Sequence, residues 1–337
     1  MGLHAGSRLT RHSEAGELLE AFLVAAVVSV LAIRWLLALT GYPQIGDSGL
    51  HVAHMLWGGL FMVVALVLGF LFLDRSVQRA AAVIAGIGFG TFIDEIGKFV
   101  TTDNDYFYRP AIALIYVIFV VLFLVLRAVL AEPRLTPRES LANALDLLEG
   151  GLDGAIDPAT SRRVRVLLGR ADPDDPLTGP VGAYFAALPQ RPDARSWRAH
   201  LAERAAVTYE RLVANPAFER TLVVAVVVYA VGAVGAVAFG LIATGGTVTG
   251  HAWTISRMGE VLSSLVGAAL VLLGIGALPR SRVAAYHWFL RGLLVWILVT
   301  QVFVFYASQL AGIGGLALDL LAYAALRSML GREQAAS

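Results

Sequence analysis

Long apolar runs alternate along the chain with short polar breaks. A helix needs about 20 apolar residues to cross a hydrocarbon core roughly 30 Å thick. Eight runs meet or approach that length: Leu19–Leu39, His51–Leu73, Ala80–Val100, Pro110–Leu130, Arg220–Ala243, Trp253–Leu278, Val283–Ala307 and Gly312–Leu330. The last is the shortest and carries Asp319. A long polar segment, 131–219, separates the first four runs from the last four. The pattern predicts an all-α polytopic membrane helix bundle of about eight transmembrane helices, four plus four, with a small helical domain inserted between them. The corresponding boundaries are a tail at 1–18, helices at 19–130, the inserted domain at 131–219, helices at 220–330 and a tail at 331–337.

The breaks between runs carry an orientation signal, because cytoplasmic loops collect Arg and Lys. Arginine occurs in the N-terminal tail (Arg8, Arg11), the 74–79 loop (Arg75, Arg79), the long insert, the 279–282 loop (Arg280, Arg282) and the C-terminal tail (Arg327, Arg332). Loops 40–50, 244–252 and 308–311 have none, and the acidic 101–109 loop has only Arg109. This alternation predicts eight crossings with both termini and the insert in the cytoplasm. The N-terminus does not read as a signal peptide: 1–20 is polar, and the run after it carries Arg34 and lacks a small-residue cleavage site. It is expected to be a retained first helix.

The insert reads as helical. Thr136-Pro137-Arg138-Glu139 is a capping box with Pro at the first helical position. Asp157-Pro158 starts a second helix, a third is expected over Val181–Leu188, and a fourth runs from about Ala194 to Ala214. Its charges nearly balance, and His200 reads as a surface residue. A protein partner at 131–219 is open beside a plain linker role.

Composition narrows the class. Apolar residues make up 58% of the chain and the mean hydropathy is +0.72, too apolar for a water-soluble surface. The expected partner is therefore the lipid bilayer. A net charge of +1 provides no basic field for nucleic acid. With no cysteine there are no disulfides, thiolate metal sites or Cys nucleophile. Heavy Ala, Gly, Val, Leu and Arg usage, with Lys98 the single lysine, is that of a GC-rich coding sequence. It points to a bacterial inner membrane.

One stretch concentrates polar chemistry. Asp47-Ser48-Gly49-Leu50-His51-Val52-Ala53-His54 leads into the second run. Gly86 to Lys98 closes the third run with Asp94-Glu95, and Asp103-Asn104-Asp105 follows it. At 1.5 Å per residue, His54 lies about 5 Å and Glu95 about 7 Å below the same extracytoplasmic surface. Charges at such depth are functional candidates by default. His51 and His54 share a helix face. Gly86, Gly90, Ile93 and Gly97 form a small-residue stripe suited to close helix packing. Asp94 and Glu95 diverge by about 100°, so one carboxylate is expected to meet the histidines. Asp94 is expected to pair with Lys98 four residues on, which leaves Glu95. Glu260 and Asp319 add charges at similar depth in the second half, where Arg34–Glu260 and Arg257–Asp319 are candidate interhelical pairs that read first as packing contacts.

Two imidazoles and a carboxylate suit a divalent metal, zinc or manganese, with His51, His54 and Glu95 as ligands. Glu95, Asp94, Lys98, Asp103 and Asp105 would then be the catalytic or supporting groups of a hydrolase-like enzyme on an envelope or lipid-linked substrate. The same groups suit a proton relay in a proton-linked small-molecule transporter, with Glu95, Glu260 and Asp319 along a polar path. A third reading is a membrane scaffold whose charges only tie helices together. No other cofactor motif is present: Gly86-x-Gly88-x-Gly90 has no strand before it.

The order His51-x-x-His54, then a glycine-rich helix with Asp94-Glu95, then Asn104-Asp105, resembles small bacterial membrane families of the VanZ-like kind. In these a His near one helix start, a Glu in the next helix and a downstream Asp or Asn recur. The resemblance covers roughly residues 47–110 and implies a cell-envelope role. The chain departs from it in length, in the Gly97-Lys98 that follows the acidic pair and in the long insert.

Overall fold

The computed structural model describes residues 10–40, 54–100, 108, 110–131, 135–152, 154–191, 197–243 and 255–336. Among these, every regular element is helical, apart from one isolated bridge between Ile156 and Gln190. Seven helical stretches are long and apolar enough to cross a membrane. Six of them lie in α1 (Ala15–Thr40), α2 (His54–Leu71), α3 (Arg75–Asp94), α5 (Ala111–Leu130), α10 (Pro216–Ala243) and α11 (Ile255–Ala277). Each starts or ends within a few residues of the apolar run that predicted it.

The seventh stretch is a 54-residue run, Arg282–Ala335. Straight, it would measure about 80 Å at 1.5 Å per residue, far beyond one crossing. It folds back instead. α12 (Arg282–Val295), a π-helical segment Trp296–Thr300 and α13 (Gln301–Ser308) form one arm, and α14 (Ile313–Ala336) forms the other. The reversal falls at Gln309, whose φ of 49° is the one positive value among the described non-glycine residues. α12 then packs against α14. The two arms occupy the two last apolar runs of the sequence.

Large apolar side chains face outward along these helices. Phe70 is 84% exposed, Ile242 78% and Phe239 74%. Water would penalise that arrangement, whereas lipid rewards it. The protein is membrane-embedded by this criterion and by helix length.

The chain folds as two compact units. One comprises Met1–Phe99 and Val121–Ala194, the other Val100–Val120 and Arg195–Ser337. In the first, α3 packs against both α1 and α2, and glycine sets how closely. A Cβ on Gly86 would fall on the carbonyl of Phe22, and one on Gly90 on that of Ala26. Gly88, two residues round the helix, backs onto α2, where a Cβ would sit 2.7 Å from the carbonyl of Gly58. Backbones in such contact leave no room for side chains, as small-residue interfaces in membranes require. Ser29 and Thr91 add a buried hydroxyl pair at 3.1 Å across the α1–α3 seam.

The same unit holds α6 (Pro137–Glu149), α7 (Pro158–Leu168) and α8 (Thr178–Ala187) around a core of Leu141, Leu147, Ile156, Val164 and Val181. Thr136 and Glu139 form the expected capping box, and Asp157 caps α7. α8 starts three residues earlier than the sequence suggested. The fourth helix of the insert, α9 (Trp197–Ala214), packs instead with α10 and α14 in the second unit. α9 and α10 are separated only by Asn215, so α9 is carried by the helix it leads into.

The second unit has a core of Trp296, Tyr286, Phe289, Leu293, Val271 and Leu326. Gly267 leaves the space that the Trp296 indole fills, and the indole N–H donates to the Ser264 carbonyl at 3.2 Å. The π-helical segment offsets the backbone ladder, and the Tyr116 hydroxyl donates to the Ile297 carbonyl there.

Candidate functional site

The α3 helix ends at Asp94. Glu95 leaves helical geometry (φ −85°, ψ 8°), and the short helix α4 (Ile96–Val100) follows. That break turns two neighbouring carboxylates, both fully buried, toward the start of α2.

His54 lies between them. Its Nε2 is 3.2 Å from Asp94 Oδ2, and its Nδ1 is 3.3 Å from Glu95 Oε1. The two remaining carboxylate oxygens are also engaged. Asp94 Oδ1 accepts from Arg34 Nε at 2.6 Å, and Arg34 Nη2 donates to the Asp94 carbonyl at 3.1 Å. Glu95 Oε2 accepts from the backbone N–H of Met55 at 3.0 Å. Helix N-termini leave N–H groups unpaired and carry partial positive charge, so Glu95 caps α2 from the break between α3 and α4.

Sequence spacing predicted that one carboxylate would meet the imidazole, and both do. The ring carries nitrogens on opposite edges, so the two carboxylates need not share a helix face, and the break at Glu95 removes the ideal 100° offset. Asp94 meets Arg34, and its expected pairing with Lys98 lies outside the described side chains. Arg34 in turn meets Asp94, a partner that the candidate pairing with Glu260 did not anticipate. An arginine and an aspartate at matching depth on adjacent helices were the available signal for this pair.

Other candidates fall outside what the structure describes: His51, Asp103, Asp105 and the side chain of Lys98. Among the described residues, no three His, Asp or Glu side chains are arranged to hold a metal ion.

The arrangement has a proton requirement. A neutral imidazole has one N–H, and each ionised carboxylate only accepts. Both nitrogen–oxygen contacts become hydrogen bonds only when the three groups together hold one further proton. Of the three, the imidazole alone reaches the surface, its side chain being 29% exposed while both carboxylates are at 0%.

At the other end of α1 and α3 the charges differ in kind. Glu14 receives Arg163 at 2.6 Å, Arg75 at 3.0 Å and Arg79 at 3.6 Å. Arg163 also reaches Glu17, and Arg75 also reaches Asp146 at 2.7 Å. Arg11 forms a bidentate pair with Glu139 at 2.9 and 3.1 Å. Asn143 binds the backbone of Arg11 and Ser13, each at 2.7 Å. The start of α1, the α2–α3 turn and helices α6 and α7 are therefore laced together. The Arg11 hydrogen bonds, with the Thr136 backbone N–H, hold the Glu139 carboxyl far below the usual carboxylate range.

Fold and site together define a class: an all-helical, multi-pass type of membrane protein with a buried Arg–Asp–His–Glu network on three adjacent helices. Nothing narrows that class further by likeness, since no family model, curated protein or solved structure matches the chain.

Proposed function

We propose that the chain is a bacterial inner-membrane protein with eight crossings and both termini cytoplasmic. In it His54, Asp94 and Glu95 form an extracytoplasmic proton-binding centre serving proton-linked transport of a small molecule. The supporting observation is one part-exposed imidazole held between two fully buried carboxylates, each already anchored on its other oxygen. His54 would exchange the proton with the outside, Asp94 and Glu95 would hold it, and Arg34 would keep the net charge of the group low.

The orientation rests on the arginine-bearing loops, and the contacts of the N-terminal segment and the α2–α3 turn with α6 and α7 agree with it. The lack of native cysteine makes labelling direct. Asn104→Cys should react with a membrane-impermeant thiol reagent in intact cells, and Asp174→Cys only after lysis. The opposite pattern would invert the topology and remove the site from the outer face.

For the centre itself, infrared spectra of the purified chain in lipid should show a titrating carboxyl or imidazolium band. It should be lost in His54→Gln and in Glu95→Gln. Spectra unchanged in both variants would reduce the network to an ion-pair clamp, leaving the scaffold role and a partner at 131–219.

A second reading, a metal-assisted hydrolase on an envelope or lipid-linked substrate, is favoured by His51-x-x-His54 and the VanZ-like order of residues. There His54 would turn one ring nitrogen from a carboxylate toward zinc or manganese, shared with His51 and Glu95. Metal analysis of wild type beside His54→Ala separates the two. Stoichiometric metal in wild type that disappears in the variant would replace the proton centre with the enzyme.

A further inference from the structure

A groove of about 540 Å³ runs between α10 and α11 in the second unit, a volume in the range of ligand sites. Its two walls differ. α10 contributes Val228, Gly232 and Ala236, four residues apart and hence one apolar row about 12 Å long. α11 contributes Arg257, Glu260 and Ser264 from one face. Tyr229 joins the apolar row, stacked edge-on against Trp296 with centroids 4.6 Å apart.

We propose that this groove binds a zwitterionic membrane lipid of the phosphatidylethanolamine class. Arg257 is the phosphate partner, since a guanidinium matches phosphate geometry. Glu260 is the ammonium partner, a carboxylate accepting charge-assisted hydrogen bonds from the amine. Residues three apart on a helix stand about 5–6 Å apart, the same order as the phosphate-to-amine separation in that headgroup. Arg257 and Glu260 lie within the first two turns of α11, about 3 and 8 Å from its start. That is headgroup depth, and the Val228–Gly232–Ala236 row then takes an acyl chain. At Gly232 an added Cβ would meet nothing within 4 Å, so the row is open where the chain would lie.

Native mass spectrometry of the full chain, released from detergent with equimolar phosphatidylethanolamine and phosphatidylglycerol, tests the assignment. Wild type should retain the ethanolamine lipid preferentially. Glu260→Gln should lower that preference about tenfold or more, the effect of one lost charged hydrogen bond. Gly232→Leu, whose side chain enters open space, should abolish retention while thermal unfolding stays unchanged. Equal retention of the two lipids by wild type, or undiminished retention by Gly232→Leu, would overturn the proposal. Displacement of bound lipid by soluble phosphoethanolamine would overturn the lipid as occupant.

Discussion

Helices α1 and α3 carry ion pairs at both ends, and the two sets obey different physics. Glu17 and Arg34 are about 26 Å apart along α1, and Arg75 and Asp94 about 28 Å along α3. At the lower-numbered end, Arg163, Arg79, Glu17 and Asp146 are 45–56% exposed and share partners. Loss of one contact leaves another carboxylate or water. At the far end, Asp94 and Glu95 are fully buried and Arg34 is 11% exposed. Each oxygen there has its own partner and no solvent to replace it. The number of ion pairs therefore says little about stability, and the availability of an alternative partner says most. Glu14 complicates the division: it belongs to the exposed set, yet its own side chain is only 7% exposed beneath three guanidinium groups.

Asp94→Ala should show the largest effect. Removing one partner of a buried pair costs about 3–5 kcal/mol, read as the unfolding midpoint in mixed detergent. The double variant Arg34→Leu/Asp94→Leu should lose less than Asp94→Ala alone, because both charges of the pair are removed together. If Asp94→Ala unfolds no more easily than an exposed-end variant, the contrast between the two ends fails.

Glu14→Gln should come next. It weakens charge-assisted bonds to three arginines at a buried acceptor, worth about 1.5–3 kcal/mol. A negligible effect would place Glu14 with its solvated neighbours and make burial irrelevant at that end.

The Arg11–Glu139 pair should report through pH. Its folded carboxyl titrates far below an unfolded glutamate, so its stabilisation is fully present above the unfolded value. The contribution declines as pH falls beneath the ordinary carboxylate range and is gone once the folded group protonates. Hydrogen exchange of the amides at 11–14 should speed up over that acid window, and in Glu139→Gln it should be fast at all pH. Insensitivity to acid in wild type would mean that Asn143 alone holds the segment.

Arg79→Ala should have the smallest effect, about 0–1 kcal/mol, and that little should vanish in high salt. A large, salt-resistant loss would show that the exposed cluster behaves like the buried one.

Much of the fold was legible in one dimension. Hydropathy placed the ends of α5, α10 and α11 within a few residues. Thr136 and Asp157 announced their helices, since capping depends on neighbours along the chain. The glycines at 86 and 90 marked a close seam for the same reason. The site was legible only in part. Depth, a sum of residue rises, correctly brought His54, Asp94 and Glu95 to one level. Spacing did not reveal that Arg34 pairs with Asp94, because the i,i+4 rule sees only one helix.

Sequence alone therefore determined that this protein is a set of apolar helices with charges grouped at particular depths, because burial in lipid and helical rise are properties of each segment by itself. Tertiary structure decided that Arg34 meets Asp94, that His54 sits between two carboxylates, and that Glu95 caps α2. Those contacts depend on how far each helix is rotated and how near it lies to the next. Backbone contact at Gly58, Gly86, Gly88 and Gly90 sets both, and such contact exists only once the helices have packed.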